Sequence, residues 1–354
     1  MRSEPGRHKY RTAALCPLDS ALPYACRERS PALETRRFGS TGLTVSALGF
    51  GCGAVGGLMT RGAPDDQVAA VKRALDAGIT YFDTASMYGE GRSEENLGRV
   101  LRTLGAWDKV VVGTKVRLSE ADLTDPAQSV RASIVASLHR LGRQRVDLLQ
   151  LHNPIGGERG TVTLEQAREI AGVLRDLVQE GRIDHVGFTG IGATDDLHQV
   201  VNEGLFETVQ CYFNAANPSS GHAGVAGGGQ DMRGLIGAAQ AKGMGVIAIR
   251  VMAAGALLGT PNPAPLSGGG GPALLTGGEY ERDMQRAQAM EPLAKELGLE
   301  SVLELSLRLV LAKQGVSTAL VGYSDMTQLE DAIRWAERGP LPPDAVRRVL
   351  EAAS

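Results

Sequence analysis

The chain has 354 residues, and 43% of them are hydrophobic, which is enough to bury one large α/β core or two ordinary ones. Its 37 lysines and arginines against 40 acidic residues leave a net charge of -3. This balance gives no electrostatic basis for binding nucleic acid or acidic lipid, so a small soluble ligand is expected.

The cysteines and the apolar segments indicate an intracellular protein. A chain of this length needs no disulfides, and neither CxxC nor Cys/His metal spacing occurs around Cys16, Cys26, Cys52 and Cys211. The longest apolar stretch, 244–259, is interrupted by Arg250 and is too short to cross a bilayer, and the N-terminus lacks the apolar core of a signal peptide. These patterns predict reduced cysteines and a cytoplasmic location.

The first 34 residues differ from the rest of the chain. Residues 1–34 mix Arg, Pro, Ser and scattered charge without apolar periodicity, which predicts a poorly ordered extension that the chemistry does not need. Regular patterns begin at Thr35, and residues 35–354 are predicted to form one domain. It opens with a β-hairpin whose turn is the Gly-Ser-Thr-Gly segment at 39–42.

Strand and helix patterns then alternate to the end of the chain. Strands are predicted at 46–50, 79–82, 110–114, 146–151, 185–188, 208–212, 245–249 and 318–321. Helices are predicted at 65–77, 93–104, 126–140, 164–179, 195–202, 231–241, 281–311 and 326–337, with one more at 343–352. Thr163 and Gln166 have the spacing of a capping box before the helix at 164–179.

Eight strand-helix units without a break in composition favour a closed (β/α)8 TIM barrel over a doubly wound sheet. The hairpin would close the bottom of this barrel as a plug. Gly and Pro concentrate at 214–229 and 259–278, and both segments follow strands. They are therefore predicted to be long loops on the C-terminal face, where such barrels carry their active sites.

Polar side chains lie at the ends of several predicted strands. Asp83 follows the second strand, Lys115 the third and His152 the fourth, while Gln210 lies on the sixth and Tyr88 in the loop after Asp83. Taken singly, the lysine suits a snorkelling side chain, the histidine a core residue and the aspartate a helix cap. Their joint occurrence around one barrel mouth indicates a catalytic set.

The chemistry of this set is a proton transfer to a carbonyl oxygen. A phenol donates a proton near neutral pH only where something stabilises the phenolate, and the ammonium of Lys115 would do so for Tyr88. Asp83 would hold the lysine as its ion-pair partner, and His152 would orient the substrate oxygen. Since no side chain delivers hydride, reduction of a carbonyl also requires a nicotinamide cofactor.

These residues resemble the aldo-keto reductase superfamily over residues 37–335. The segment 83–89 is similar to its acid-and-tyrosine signature, 113–115 to its lysine strand, 149–152 to its histidine strand and 42–51 to its opening. The resemblance implies that Tyr88 is the general acid, that Lys115 and Asp83 tune it, and that His152 orients the carbonyl. It also implies an aldehyde, ketone or alcohol as substrate.

The resemblance implies NADPH as cofactor, with NADH as an alternative. It places the cofactor at Gly51, Cys52, Thr189, Gly190, Gln210, Ile249, Arg250, Met252, Arg282, Gly322, Ser324, Gln328 and Asp331. The segment 321–331 is similar to the family's adenosine-phosphate segment, and the start of the following helix offers free amides to a phosphate. Arg282 is the candidate countercharge for a 2'-phosphate, and Asp325 opposes that group.

Three cofactor positions depart from the family pattern. Gly190 stands in place of a usual Asn, Ile249 in place of the aromatic ring that faces the nicotinamide, and Ala332 in place of another Asn. A cofactor-binding regulatory barrel with weak catalysis is therefore one alternative function. A Schiff-base lyase or aldolase is another, because a lysine at a barrel strand end suits imine formation at Lys115.

A second glycine motif needs separate interpretation. Residues 51–56 satisfy GxGxxG, but the next predicted helix starts late, at 65, and Asp83 lies beyond the spacing of about 20 residues expected of a ribose contact. The motif is interpreted as a close-approach loop at the mouth. The pocket wall is predicted to be apolar, with Trp107 and Trp335 away from the mouth, and to consist of Val55, Leu58, Met59, Ile155 and Phe213.

Overall fold

Parallel strands close into a barrel in the computed structural model, which describes residues 33–156, 161–227, 229–260, 266 and 280–354. The barrel strands are β3 (Leu48–Gly51), β4 (Tyr81–Asp83), β5 (Val111–Val116), β6 (Val146–Leu151), β7 (Ile183–Thr189), β8 (Thr208–Tyr212), β9 (Gly245–Ile249) and β10 (Val316–Gly322). They follow one another around the barrel in chain order, and β10 pairs with β3 to close it. The predicted (β/α)8 architecture is confirmed.

Helices surround the strands on the outside of the barrel. They are α1 (Leu58–Arg61), α2 (Pro64–Asp76), α3 (Arg92–Thr103), α4 (Pro126–Leu141), α5 (Leu164–Gln179), α6 (Thr194–Glu203), α7 (Leu235–Ala241), α8 (Tyr280–Glu296), α9 (Val302–Ala312), α10 (Met326–Glu337) and α11 (Pro343–Ala353). The predicted capping box is present at α5, where Thr163 and Gln166 satisfy each other's backbone amides.

The hairpin of β1 (Thr35–Arg37) and β2 (Thr44–Ser46) closes the N-terminal end of the barrel, as predicted. The amide of Ser40 donates to the carbonyl of Gly243, at the approach to β9, with N···O 2.8 Å. Phe38 and Val45 are fully buried against the lower layer of the barrel interior, and the Phe38 ring meets Tyr81 edge-on with centroids 5.5 Å apart. This end of the barrel is therefore filled by side chains.

The structure differs from the sequence predictions at several element boundaries. The helix predicted at 231–241 begins at Leu235, because Arg233 has a left-handed φ of 49° that a helix does not accept. The region 281–311 is two helices, α8 and α9. The short helix α1 was not predicted, and the strand predicted at 46–50 is divided between β2 and β3.

The predicted extension at 1–34 lies outside the described residues, apart from Leu33 and Glu34. Leu33 is buried against the core. The predicted loop at 214–229 is described except for residue 228, whereas most of the loop at 259–278 lies outside the described residues. Among the helices described, none has the length and apolar character needed to cross a membrane.

We predict that removing the Phe38 ring destabilises the barrel. Because Phe38 is fully buried, Phe38→Ala should lower the free energy of unfolding by about 3–5 kcal/mol, measured by urea denaturation. Val135→Ala is the control, since this α4 side chain is 61% exposed and should change stability by less than about 0.5 kcal/mol. Equal shifts for the two variants would contradict a structural role for the hairpin.

Candidate active site

The C-terminal ends of three neighbouring barrel strands and one loop bring the predicted catalytic residues together. Asp83 is the last residue of β4, Lys115 lies in β5 and His152 follows β6 directly. Tyr88 comes from the loop between β4 and α3, and its hydroxyl lies 3.2 Å from the Nζ of Lys115. The four residues that the sequence singled out therefore form one cluster.

The Asp83 carboxylate is buried and fully hydrogen-bonded. Its Oδ1 accepts from the ammonium of Lys115, and its Oδ2 accepts from the Tyr81 hydroxyl at 3.0 Å. The same Oδ2 also accepts from Gln150 Nε2 at 3.0 Å and from Gln210 Nε2 at 2.9 Å. Since only 2% of Asp83 is exposed, these donors replace the water that its charge would otherwise require.

Lys115 uses its three ammonium protons on three acceptors. Besides Asp83, it donates to the carbonyl oxygen of Thr84 at 2.8 Å and to the Tyr88 hydroxyl at 3.2 Å. Burial lowers the pKa of Lys115, but the charge of Asp83 and the contact with Tyr88 outweigh it and raise the pKa above the ordinary lysine value. Lys115 is therefore a fixed positive charge beneath the phenol.

The loop that carries Tyr88 is fastened at both ends. The Tyr88 carbonyl accepts from the amide of Ser93 at 3.2 Å, and the hydroxyls of Thr84 and Ser93 lie 2.8 Å apart. Ser93 also donates to the carbonyl oxygen of Cys52 at 2.9 Å, which ties this loop to the end of β3. The position of the phenol is thus set by hydrogen bonds on the side away from the cleft.

His152 lies beside Tyr88 and is neutral. The two rings meet edge-on with centroids 5.9 Å apart. Burial, followed by the positive charges of Lys115 and Arg117, lowers the pKa of His152 well below its ordinary value of 6.5. A neutral imidazole has one N–H donor, which suits a hydrogen bond to a carbonyl oxygen.

A cleft of about 430 Å³ runs from Tyr88 and His152 across the mouth of the barrel to α10. Ten of the predicted cofactor positions line it: Gly51, Thr189, Gln210, Ile249, Arg250, Met252, Gly322, Ser324, Gln328 and Asp331. Asp83, Tyr88 and His152 also line it, whereas Lys115 is enclosed behind them.

Three predicted cofactor residues do not line the cleft. Cys52 is 1% exposed, and burial raises the pKa of its thiol, so it contributes through its backbone to the Asp83 loop. Gly190 donates its amide to the Gln210 carbonyl at 2.8 Å, and a Cβ added to it would lie 2.8 Å from that oxygen. Arg282 lies in the first turn of α8, two residues after Tyr280, where the described residues resume.

Most of the predicted pocket wall is wrong. Of the five apolar residues named for it, Val55 lines the cleft, whereas Leu58, Met59, Ile155 and Phe213 are buried in the core. Leu58 and Met59 lie in α1, a helix that the sequence did not predict, and both side chains are buried in the core. Trp335 was expected away from the mouth, yet it lines the cleft from the last turn of α10 and donates to Glu300 at 3.0 Å.

The glycine motif at 51–56 belongs to the barrel mouth. It follows β3, and Gly51, Gly53 and Gly56 line the cleft. A Cβ on Gly56 would lie 2.4 Å from the backbone nitrogen of Tyr323, so the two chain segments approach too closely for a side chain. The segment therefore acts as the close-approach loop that the sequence indicated.

Sequence reasoning missed several residues of the cleft, among them Arg117, Tyr212, Tyr280 and Leu303. Tyr212 had a usable signal, since it lies two residues after Gln210 in β8 and strand side chains alternate. Arg117 had the same relation to Lys115. Tyr280 and Leu303 come from helices that follow the long loop after β9, and no periodicity in the sequence places them at the mouth.

Comparisons with known proteins give the family. A model of the aldo/keto reductase family matches residues 47–354, and the chain belongs to that family. It is 31% identical over 304 residues to an L-galactose dehydrogenase of Arabidopsis thaliana, covering 85% of this chain and 87% of that protein. It is 36% identical over 190 residues to a D-threo-aldose 1-dehydrogenase of Pseudomonas sp, covering 46% and 55% respectively.

A solved structure agrees with this assignment at the level of the fold. An aldo-keto reductase from Bacillus halodurans, determined in its holo form, superposes with a TM-score of 0.69 at 22% identity over 91% of this chain and 97% of that one. Family membership makes the protein an oxidoreductase of small carbonyl compounds that works with a nicotinamide cofactor.

We predict that His152 takes up no proton on mild acidification. The pKa of His152 is depressed in the folded state, so below about pH 6.5 the unfolded chain binds a proton at this residue and the folded chain does not. His152 therefore lowers the free energy of unfolding as the pH falls through that value. In NMR its ring signals should stay constant from about pH 8 to about pH 5.

His185 provides the internal control for this measurement. Its hydrogen bond to Glu207 raises its pKa, so its signals should titrate within the same range, above the ordinary histidine value. The spectrum of His152→Asn assigns the signal. A His152 signal that titrates alongside that of His185 would contradict the neutral imidazole.

Proposed function

We propose that the protein interconverts an aldehyde or ketone and the corresponding alcohol, with Tyr88 as the residue that exchanges the proton. The observation that carries the proposal is that one buried ammonium, that of Lys115, donates both to the Asp83 carboxylate and to the Tyr88 hydroxyl. A donor placed there lowers the energy of the phenolate that remains when the phenol gives up its proton.

The residues around the cleft fit a bound dinucleotide. The hydroxyl of Tyr212 and Nη1 of Arg250 are buried at the cleft and have no hydrogen-bond partner within the described part of the chain. Arg250 offers its charge to a diphosphate, and Gly51, Gly322 and Ser324 line the same cleft. When bound, the nicotinamide supplies or accepts the hydride.

In the reduction, His152 donates its N–H to the substrate carbonyl and orients it toward Tyr88. The Tyr88 O–H bond breaks as its proton passes to the substrate oxygen, while the carbonyl carbon gains the hydride. Lys115 then stabilises the phenolate, and Asp83 keeps Lys115 charged and fixed. In the reverse direction the phenolate takes the proton of the alcohol.

Burial and charge at Lys115 disfavour the Schiff-base alternative. Imine formation needs an uncharged amine within reach of the substrate, whereas Lys115 is 1% exposed, has a raised pKa and directs all three protons to acceptors. We therefore retain oxidoreduction. The names of two relatives refer to oxidation of an aldose, so the substrate panel should contain aldoses as well as simple aldehydes and ketones.

We predict that Tyr88→Phe removes catalysis while leaving cofactor binding intact. Loss of the proton donor should lower kcat by about 10²–10⁴-fold, with an unchanged dissociation constant for the dinucleotide. Cofactor oxidation with the carbonyl panel, and its reduction with the aldose panel, measure turnover. Fluorescence titration measures binding.

The matched control is Tyr323→Phe, which removes a hydroxyl that is buried in the core outside the cleft. It should retain wild-type turnover. Unchanged kcat in Tyr88→Phe would remove the assigned mechanism. Tight dinucleotide binding with no turnover of any substrate by the wild-type protein would instead favour the regulatory barrel that the departures at Gly190 and Ile249 suggested.

A further inference from the structure

The far end of the cleft, at α10, determines which dinucleotide the protein accepts, an inference that rests on the proposed function. Tyr88 and His152 occupy one end, so a dinucleotide with its nicotinamide there would extend its adenosine toward α10. Gln328, Asp331, Ala332 and Trp335 line the cleft at that end. NAD(H) and NADP(H) differ only there, by a phosphate on the adenosine ribose.

The chain's own acceptors occupy amides at the start of α10. Asp325 is the N-cap, and its Oδ1 accepts from the amide of Gln328 at 2.9 Å. The side chain of Gln328 turns back, and its Oε1 accepts from the amide of Ser324 at 2.8 Å. The helix start that the sequence offered to a phosphate therefore already holds a carboxylate and an amide oxygen.

A second carboxylate of α10, that of Asp331, lines the cleft itself, whereas Asp325 lies at the start of the helix beside the lining residue Ser324. Asp331 lies on the cleft side of α10, one turn after Gln328, and 32% of its side chain is exposed. Arg334 is its neighbour on the helix, but Arg334 binds Asp331 at 2.8 Å and Glu300 at 2.6 Å. This arginine is thus already shared between two carboxylates.

The cations that line the cleft lie elsewhere. Within the described residues they are Arg117, which follows β5 and acts on His152, and Arg250, which follows β9. Arg282, the countercharge suggested by the sequence, is not among the lining residues. A 2'-phosphate, with its roughly two negative charges, would meet the Asp331 carboxylate, with Asp325 at the start of the same helix, rather than a guanidinium.

We propose that the protein uses NAD(H) in preference to NADP(H), and that Asp325 and Asp331 are the residues that set this preference. A ribose hydroxyl can donate a hydrogen bond to a carboxylate such as that of Asp331, whereas the negative charges of Asp325 and Asp331 repel a 2'-phosphate. Because of these charges, the proposed cofactor is NADH and not the NADPH that the family resemblance implies.

Binding of the two oxidised dinucleotides to the whole protein tests the proposal without reference to turnover. Trp335 lines the cleft beside Asp331 and serves as the fluorescent reporter, in a Trp107→Phe background that removes the other tryptophan. We expect NAD⁺ to bind at least about tenfold more tightly than NADP⁺ at low salt, and the ratio to fall as salt screens the acids.

Charge-neutral variants identify the residues responsible. Asp325→Ser retains an N-cap and Asp331→Asn retains the shape, so the double variant should bind NADP⁺ several-fold more tightly and NAD⁺ more weakly than the parent. Glu330→Gln is the control for each single substitution, because it removes one carboxylate from α10 at a side chain that faces Arg73 instead of the cleft. It should leave both dissociation constants unchanged.

The outcomes separate this proposal from the proposed function. Equal or tighter binding of NADP⁺ by the parent protein overturns the NAD(H) preference and leaves oxidoreduction in place. An unchanged ratio in the double variant removes the assignment to Asp325 and Asp331. Binding of neither dinucleotide, checked by calorimetry, overturns the proposed function and this inference with it.

Discussion

The ion pair between Asp83 and Lys115 places two charges where the barrel excludes water. Taking each ion out of water costs several kcal/mol, so the pair persists only if every remaining donor and acceptor is satisfied. Three neutral donors, from Tyr81, Gln150 and Gln210, complete the carboxylate, and the Thr84 carbonyl and the Tyr88 hydroxyl complete the ammonium. The Tyr88 hydroxyl is therefore one of the hydrogen-bond partners that the buried charge pair requires in place of water.

The hydrogen-bond requirement of the ion pair also involves residues on the cofactor side of the cleft. Gln210, which the family resemblance assigns to the cofactor, donates from its Nε2 to Asp83, and its Oε1 accepts from Thr189 at 3.4 Å. Its neighbour Gly190 has no room for a side chain against the Gln210 carbonyl. Residues that look free for cofactor binding in the sequence are partly committed to the ion pair. Two side chains with polar atoms that have no partner among the described residues lie at the adjoining strand ends: Arg250, which the family pattern includes, and Tyr212, which it does not.

The sequence located the polar residues at strand ends, whereas it misplaced several apolar residues of helices and loops. Asp83, Lys115 and His152 were found because parallel strands of a barrel end at one mouth, whatever the details of packing. The prediction of the pocket wall was wrong at Leu58 and Met59 because both lie in α1, a helix of four residues that buries their side chains in the core. Trp335 was misplaced because a helical pattern gives a buried face without stating whether that face meets core or cleft. The neutral state of His152 depends on distances that no motif encodes.

The hydrogen-bond directions around Lys115 also decide where protons travel. Tyr81, Gln150 and Gln210 all donate to Asp83, and Lys115 donates to Asp83, to the Thr84 carbonyl and to the Tyr88 hydroxyl, so these hydrogen bonds converge on the ion pair. Phe38 and Val45 fill the opposite end. In the proposed reaction, the proton that Tyr88 gives up in each turnover would be replaced from the cleft, which Tyr88 lines. Reprotonation of Tyr88 and release of the product would then both take place through the cleft that Tyr88 lines.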